Sequence, residues 1–290
     1  MNINFFRRLF VGIVLLLISG VVYAEVVTDG TLGPATNLSG PNFAVDAQLG
    51  QQKGNNLFHS FETFNINTGE SATFTGSDSV ANILTRVTGD SYSYIDGLIR
   101  STIPNADMYF LNPNGILFGE NAILDTGGSF HVSTADYLRL GENGRFDATL
   151  PENSLLTVAP PEAFGFLSNN PSAISIEDSF LRVPEGETIS VIGGDIKIRD
   201  SYLIAPSGQI NLVAVASAGK VPISFDLDEH SFDKLGTIKL QYFSREIYED
   251  YDDTTPFGRA NIDVSGNGGQ IFIRSNELVL DNAQIMGRYL

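Results

Sequence analysis

The side chains best equipped to do chemistry in this chain are carboxylates. Asp226, Asp228 and Glu229 stand together in Phe225-Asp226-Leu227-Asp228-Glu229-His230, and Glu249-Asp250-Tyr251-Asp252-Asp253 forms a second run. Cleavage of a glycosidic bond needs two carboxyl groups about 5 to 10 Å apart across a groove, and closeness in sequence does not make one. Both runs read as solvated loop. The acidic stretch 245 to 256 reads as an insertion with calcium binding as its alternative, although the glycine-aspartate nonapeptide of calcium-binding β-rolls is absent. The chain has no Cys, which excludes a thiolate nucleophile, a disulfide and Cys-ligated zinc. His59, His131 and His230 lack metal-ligand spacing, and the first two read as polar residues in or beside strands. There is no Gly-x-Ser-x-Gly elbow and no His-Glu-x-x-His helix. The sequence is therefore expected to be non-enzymatic, with no catalytic residue, no metal and no cofactor.

A segment with specific backbone chemistry is Asn112-Pro113-Asn114-Gly115. Asn opens a type I turn, Pro fixes φ at the second position, Asn is tolerated at the third, and Gly suits the fourth. Its flanks, Met108-Tyr109-Phe110-Leu111 and Ile116-Leu117-Phe118, are apolar and strand-like. The spacing predicts a tight turn between buried strands, a shape that a partner can also read.

The elements that hold such a turn are strands. After Glu25 no stretch of a dozen residues keeps helical periodicity, and Gly, Asn, Asp and Ser recur at short intervals. Phe58-His59-Ser60-Phe61-Glu62-Thr63-Phe64 offers aromatics at helical spacing, yet Asn65-Ile66-Asn67-Thr68-Gly69 stops it at once, so extended structure is expected there. An internal repeat is more informative. Ala173-Ile174-Ser175-Ile176-Glu177-Asp178-Ser179-Phe180-Leu181 returns 22 residues later as Asp195-Ile196-Lys197-Ile198-Arg199-Asp200-Ser201-Tyr202-Leu203, identical at five of nine positions. The pattern Gly-x-Ile-x-(Ile/Leu) starts at Gly194, Gly208, Gly236 and Gly269. In each copy the aliphatics share one strand face, expected to be buried, and the residue between them points the other way. The period is too short for a propeller blade and lacks a leucine-rich consensus. Coils of two or three strands, stacked about 4.8 Å apart, satisfy both spacing and alternation: a parallel β-helix. A β-sandwich also has short alternating strands but does not predict nonapeptides repeated one coil apart.

Residues 1–24 read as a secretory leader: Arg7 and Arg8, an apolar run from Leu9, then Val22-Tyr23-Ala24 before a cut at Ala24/Glu25. Even counted to Val22 the run is shorter than the roughly 20 residues that cross a bilayer. The whole chain carries 17 Lys+Arg against 34 Asp+Glu. Without Arg7 and Arg8 the balance is 15 against 34, a net of −19. So acidic a chain lacks the basic stripe that replaces counterions on a duplex, and nucleic acid is not an expected partner. At 42% hydrophobic residues it can bury a core and is not disordered along its length.

Asn112-Pro113-Asn114-Gly115-Ile116-Leu117-Phe118-Gly119 followed by Gly128-Ser129-Phe130-His131-Val132-Ser133-Thr134-Ala135-Asp136 resembles the filamentous haemagglutinin N-terminal domain, the secretion domain of two-partner secretion exoproteins. Asn56 to Ile66, Val80 to Val87, Leu156 to Leu167 and Ser265 to Gly269 are similar to it as well, so the likeness spans most of 25–290. The resemblance implies a right-handed single-stranded parallel β-helix with short extra-helical strands and hairpins, over residues 25–290 as one domain. It implies passage by the general secretory machinery to the periplasm of a Gram-negative-type bacterium. It then implies export to the cell surface or medium through an outer-membrane β-barrel transporter whose periplasmic domains recognise the chain. Carried onto this sequence, the recognition turn is Asn112, Pro113, Asn114 and Gly115. The second turn of some members, Asn-Pro-Asn-Leu, is not present literally, and the nearest stretch contains Asn65 and Asn67. Relatives are mostly adhesins, with some haemolysins and toxins, so adhesion or haemagglutination against surface glycans or proteins of a host or neighbouring cell is the expected role. A secreted β-helical protein that binds or cleaves polysaccharide through Asp226 or Asp228 is the alternative. Absence of Cys suits a chain that threads a pore unfolded. Leu278 to Met286 reads as the middle of another coil, so the chain is expected to be truncated at its C-terminus.

Overall fold

The computed structural model describes residues 25–225, 231–242 and 262–287. The leader 1–24, the carboxylates Asp226, Asp228 and Glu229 with His230, and the acidic stretch 245 to 256 lie outside these residues.

Three faces of parallel strands wind around one apolar axis. On the first face Asn56–Phe64, Asn82–Val87, Asp107–Leu111, Phe130–Ser133, Thr188–Gly193, Gln209–Ala214 and Gln270–Arg274 stack in register. The second face stacks Ser93–Ile95, Ile116–Phe118, Ile174–Glu177, Ile196–Arg199, Thr237–Gln241 and Glu277–Asp281. The third begins with Asn42–Asp46, Ser71–Thr75, Leu98–Ser101 and Ile123–Asp125. It continues with Phe180–Arg182, Tyr202–Ile204, Ile262–Asp263 and Ile285–Met286. The chain visits the faces in the order first, second, third and repeats, which is a parallel β-helix, wound in the right-handed sense that parallel crossovers take.

Register explains the sequence repeat. Ile174 pairs with Ile196, Ile176 with Ile198 and Glu177 with Arg199, so the two nonapeptides lie one directly above the other. Their shared Asp-Ser is corner chemistry. Asp178 and Asp200 adopt positive φ, a conformation that Asp tolerates better than most residues. Beside them Ser179 and Ser201 are buried, and Ser201 Oγ accepts from Ser179 N at 3.0 Å while donating to backbone carbonyls. Inward columns such as Leu57, Ile83, Met108, Phe130, Ile189 and Ile210 are all inaccessible to solvent, and each such side chain is worth about 2 kcal/mol of transfer free energy. The glycine of the Gly-x-Ile motif marks close approach of successive coils: a Cβ on Gly208 would fall 1.9 Å from the Glu187 carbonyl oxygen.

The edge of Asn56–Phe64 that faces away from the stack is covered by antiparallel pairing with Val26–Thr28 and Gln51–Lys53. This removes the row of open backbone groups that makes a bare edge sticky. A second sheet, antiparallel, is built from Gly144–Asp147, Tyr137–Leu140, Pro161–Phe166 and Gly219–Pro222. It lies outside the helix against the first face and encloses a second core that includes Phe58, Leu84, Tyr109, Leu138, Phe146, Phe164 and Val213. The first face is therefore buried on both sides along most of its length, up to Gln209–Ala214, but not at Gln270–Arg274. This corrects the one-sided burial expected for Gly208-Gln209-Ile210-Asn211-Leu212: Asn211 is buried too, accepting from Gln209 Nε2 at 2.6 Å and donating to Ser190 Oγ at 3.2 Å. The other side of the alternation holds on the second face, where Ile196 and Ile198 are buried and Lys197 is half-buried.

Candidate functional site

The Asn112–Gly115 turn joins the first face to the second. Gly115 N donates to Asn112 O at 3.1 Å, the hydrogen bond that closes a four-residue turn. Asn114 is not among the positive-φ residues, whereas Gly115 has φ 113°, so the turn is type I with its glycine at the exit.

The two asparagines do different work. Asn112 is fully buried. Its Oδ1 accepts from Asn114 N at 2.9 Å, and its Nδ2 donates to Ser91 O at 3.0 Å and to Ser93 Oγ at 2.9 Å. Asn112 N donates to Ser133 O at 3.0 Å, so this residue ties together the coil below, its own coil and the coil above. Asn114 is exposed and fastened by one side-chain bond, Nδ2 to Gly89 O at 2.7 Å. Pro113 is half-buried, and Gly115 O accepts from Ser93 N at 3.0 Å. Of the four residues, Asn114 and Pro113 are the ones a partner can reach, and Asn112 is the internal brace.

Asn65 and Asn67 sit at two different corners, and Asn67 opens a four-residue turn of its own, closed by Glu70 N to Asn67 O at 3.0 Å with Gly69 at φ 79°. Asn65 lies at the same corner two coils below: its Oδ1 accepts from Tyr94 N at 2.8 Å, and Ile66 bridges to Ile95. Asn67 belongs to the next corner, between second and third faces, where its N donates to Glu70 Oε2 at 2.8 Å. There the buried Asp96 accepts from Thr68 Oγ1 and from Asn121 N at 2.8 Å. Asp96 also helps burial to hold the Tyr94 hydroxyl above the usual phenol range. Fold thus brings Asn65 beneath the turn and takes Asn67 away from it.

Loop 88–92, between the turn and Asn65, carries no motif and was silent in the sequence. Asp90, Ser91 and Tyr92 are exposed, and the loop's carbonyls at Gly89 and Ser91 are the acceptors for Asn114 and Asn112.

Both strand histidines are buried. His59 points into the helix axis beside Phe61 and Phe74, with no hydrogen-bond partner on either ring nitrogen, and burial depresses its pKa to about 4 against a smaller opposing pull from Asp46. His131 points outward into the second core, stacked 4.5 Å from Tyr109 with Nδ1 2.9 Å from Ser190 Oγ, and burial depresses it to about 3. Among the described residues no cluster of three His, Asp or Glu is arranged to hold a metal ion, and no helix is long and apolar enough to cross a membrane.

Arg86 is a further buried polar centre that the sequence did not reveal. Its Nε donates to Ser60 Oγ at 2.7 Å, Nη2 to Thr31 Oγ1 at 2.9 Å, and Nη1 to Ser154 Oγ at 2.7 Å and to Asp147 O, with the guanidinium 4.6 Å over the Phe146 ring. Burial lowers its pKa to about 10 against the opposing pull of Asp29, Asp147 and Glu152, so it stays charged at neutral pH. Asp29 is itself held below the usual carboxylate range: burial pushes it up, and hydrogen bonds from Ser60, Thr31 and Thr88 outweigh that.

Comparison with known proteins finds a match of residues 24–242 to the model of the TPS secretion domain. No curated protein matches the chain. Among solved structures, the chain is similar to the crystal structure of a filamentous hemagglutinin secretion domain, at 12% identity and a TM-score of 0.44, covering 91% of this chain and 99% of that one.

Proposed function

Because this chain belongs to the TPS secretion domain family, the secretion domain of two-partner secretion exoproteins, we propose that it is exported through a partner outer-membrane transporter that reads the Asn112–Gly115 corner. Membership carries with it an exported protein of a Gram-negative-type system and a transporter as partner in general. What supports the finer reading is one observation: the turn is locked from within by Asn112 and offers Asn114 to solvent. A recognised group must be both held in place and reachable, and Asn114 is both. The leader is cut between Ala24 and Glu25 on the way, and the domain acts without catalysis. Adhesion or haemagglutination is the role we attach to the exported protein, on the strength of the resemblance to adhesins.

The test is release of the native chain and of Asn114→Ala into the medium, in cells with and without the transporter encoded nearest the gene. Release of native chain only when the transporter is present, with Asn114→Ala down about tenfold, corresponds to a loss of about 1.4 kcal/mol of recognition. Transporter-independent release would sink the proposal.

A further inference from the structure

We propose that the transporter-facing surface extends over three coils and that Tyr92, one coil below the turn, is its principal anchor. This rests on the reading that a transporter recognises the Asn112–Gly115 corner, and it adds a residue outside the turn. Tyr92 is 51% exposed, whereas Tyr109, Phe110 and Phe118 of the coil above are buried. Its Cβ sits under the turn, 3.6 Å from where a side chain on Gly115 would begin, and about half of the residue is left to solvent. Tyr92 is not on a loose tip. Thr88 N donates to Phe61 O at 2.8 Å, Gly89 O and Ser91 O accept from Asn114 and Asn112, and Ser93 N donates to Gly115 O at 3.0 Å, so the loop is pinned on both sides of the ring. A tyrosine held by rigid backbone supplies large contact area at small entropic cost, which is why tyrosines dominate interface anchors.

The surroundings extend the patch. Tyr94 follows two residues on, half-buried, and pairs with the half-buried Leu117 of the next coil. Glu62 from the coil below, which lies against Gly89 of the loop, and Asp90 of the loop itself are both exposed. The corner thus presents tyrosine rings, the exposed end of Asn114 and two carboxylates, drawn from three successive coils. Its complement is a protein face with an apolar cleft for the Tyr92 ring, a donor for Asn114 and basic side chains for Glu62 and Asp90. We assign that face to the periplasmic part of the transporter.

The experiment measures binding of the full mature chain to the intact transporter in lipid nanodiscs, alongside export in cells. Tyr92→Ala is expected to weaken binding about tenfold or more, as loss of an interface anchor does, and to cut export, with an unchanged melting temperature. Tyr92→Phe retains both. Glu62→Gln with Asp90→Asn is expected to weaken binding and flatten its dependence on salt. If Tyr92→Ala is unstable, Tyr92→Gln keeps a polar side chain of intermediate length and carries the same expectation. Native binding and export by the stable Tyr92 variant, with Asn114→Ala still defective, overturns this inference and leaves the turn reading intact. Export of the native chain without the transporter overturns both. Normal export of Tyr92→Ala with lost adherence to target cells would make the patch a receptor site and also overturn the inference.

Discussion

At the scale of single residues, what a side chain presents matters less than whether it is spoken for. Asn112 spends its whole amide inside the protein, so Asn112→Ala strips the donor from the buried Ser93 hydroxyl and from the Ser91 carbonyl and is expected to cost about 2 kcal/mol, visible as a lower urea midpoint. Asn114→Ala loses a single part-buried bond and should cost about 1 kcal/mol. Export defects in the two variants therefore have different origins, and a stability measurement separates them. His59 is the converse, a buried group with no partner. Its folded pKa of about 4 lies below its ordinary 6.5, so the unfolded chain takes up the proton first as the medium acidifies. The stability tied to neutral His59 is fully present above about pH 6.5 and is lost as pH falls towards 4; His131 follows the same sign down to about 3. His59→Leu is expected to raise stability at pH 5 and to shallow the slope of unfolding midpoint against pH between 4 and 6.5. An unchanged slope would show that His59 does not titrate as its burial dictates.

At the scale of elements, the extra-helical sheet is held to the helix by packing and by Arg86. That guanidinium joins the loop at Thr31, the strand at Ser60 and the hairpin at Asp147 and Ser154. Arg86→Met leaves Asp29 with less counter-charge and the Asp147 carbonyl unpaired, a class of change that costs about 3 to 5 kcal/mol. Limited proteolysis between 137 and 166 should then cut the variant much faster than the native chain. Arg86→Lys should not rescue it, since one ammonium cannot span the set of acceptors that a planar fork reaches. The contrast between helix and outer sheet also marks what the sequence could say. The coils were legible because Ile174, Ile176 and Asp178 recur as Ile196, Ile198 and Asp200, and stacked copies must solve the same corner in the same way. The burial of Asn211 was not legible. It goes with the second core outside the first face, which gathers residues far apart in sequence, Leu138, Phe164, Val213 and Phe225 among them, and leaves no period. Asn65 and Asn67 looked like one unit because they are two residues apart, yet they stand at successive corners with the second face, here only Ile66, between them. Tyr92 had no motif at all, and only the pinning of its loop by Asn112 and Asn114 makes it conspicuous.

At the scale of the whole molecule, the stack is assembled from neighbours. Each coil buries its aliphatics against the one before, so order can propagate along the chain without waiting for its far end. Burial of this kind on the outer side of a pore opposes backward sliding. A variant with Ile196, Ile198, Ile210 and Leu212 all changed to Asp, four positions with almost no solvent access, is expected to reach the transporter and fail to appear in the medium; native-level release would refute the idea. The same self-similarity carries a hazard. Ile189, Ile210 and Ile271 occupy one column, and a column of near-identical side chains gives a growing stack little reason to reject a neighbour that arrives one rung too early. The buried polar groups do not repeat: Asn112 fits only under Ser133 and over Ser91, Asp96 only between Thr68 and Asn121, Arg86 only between Ser60 and Ser154. They number the rungs of an otherwise anonymous ladder, so that a skipped rung is paid for in stranded hydrogen bonds.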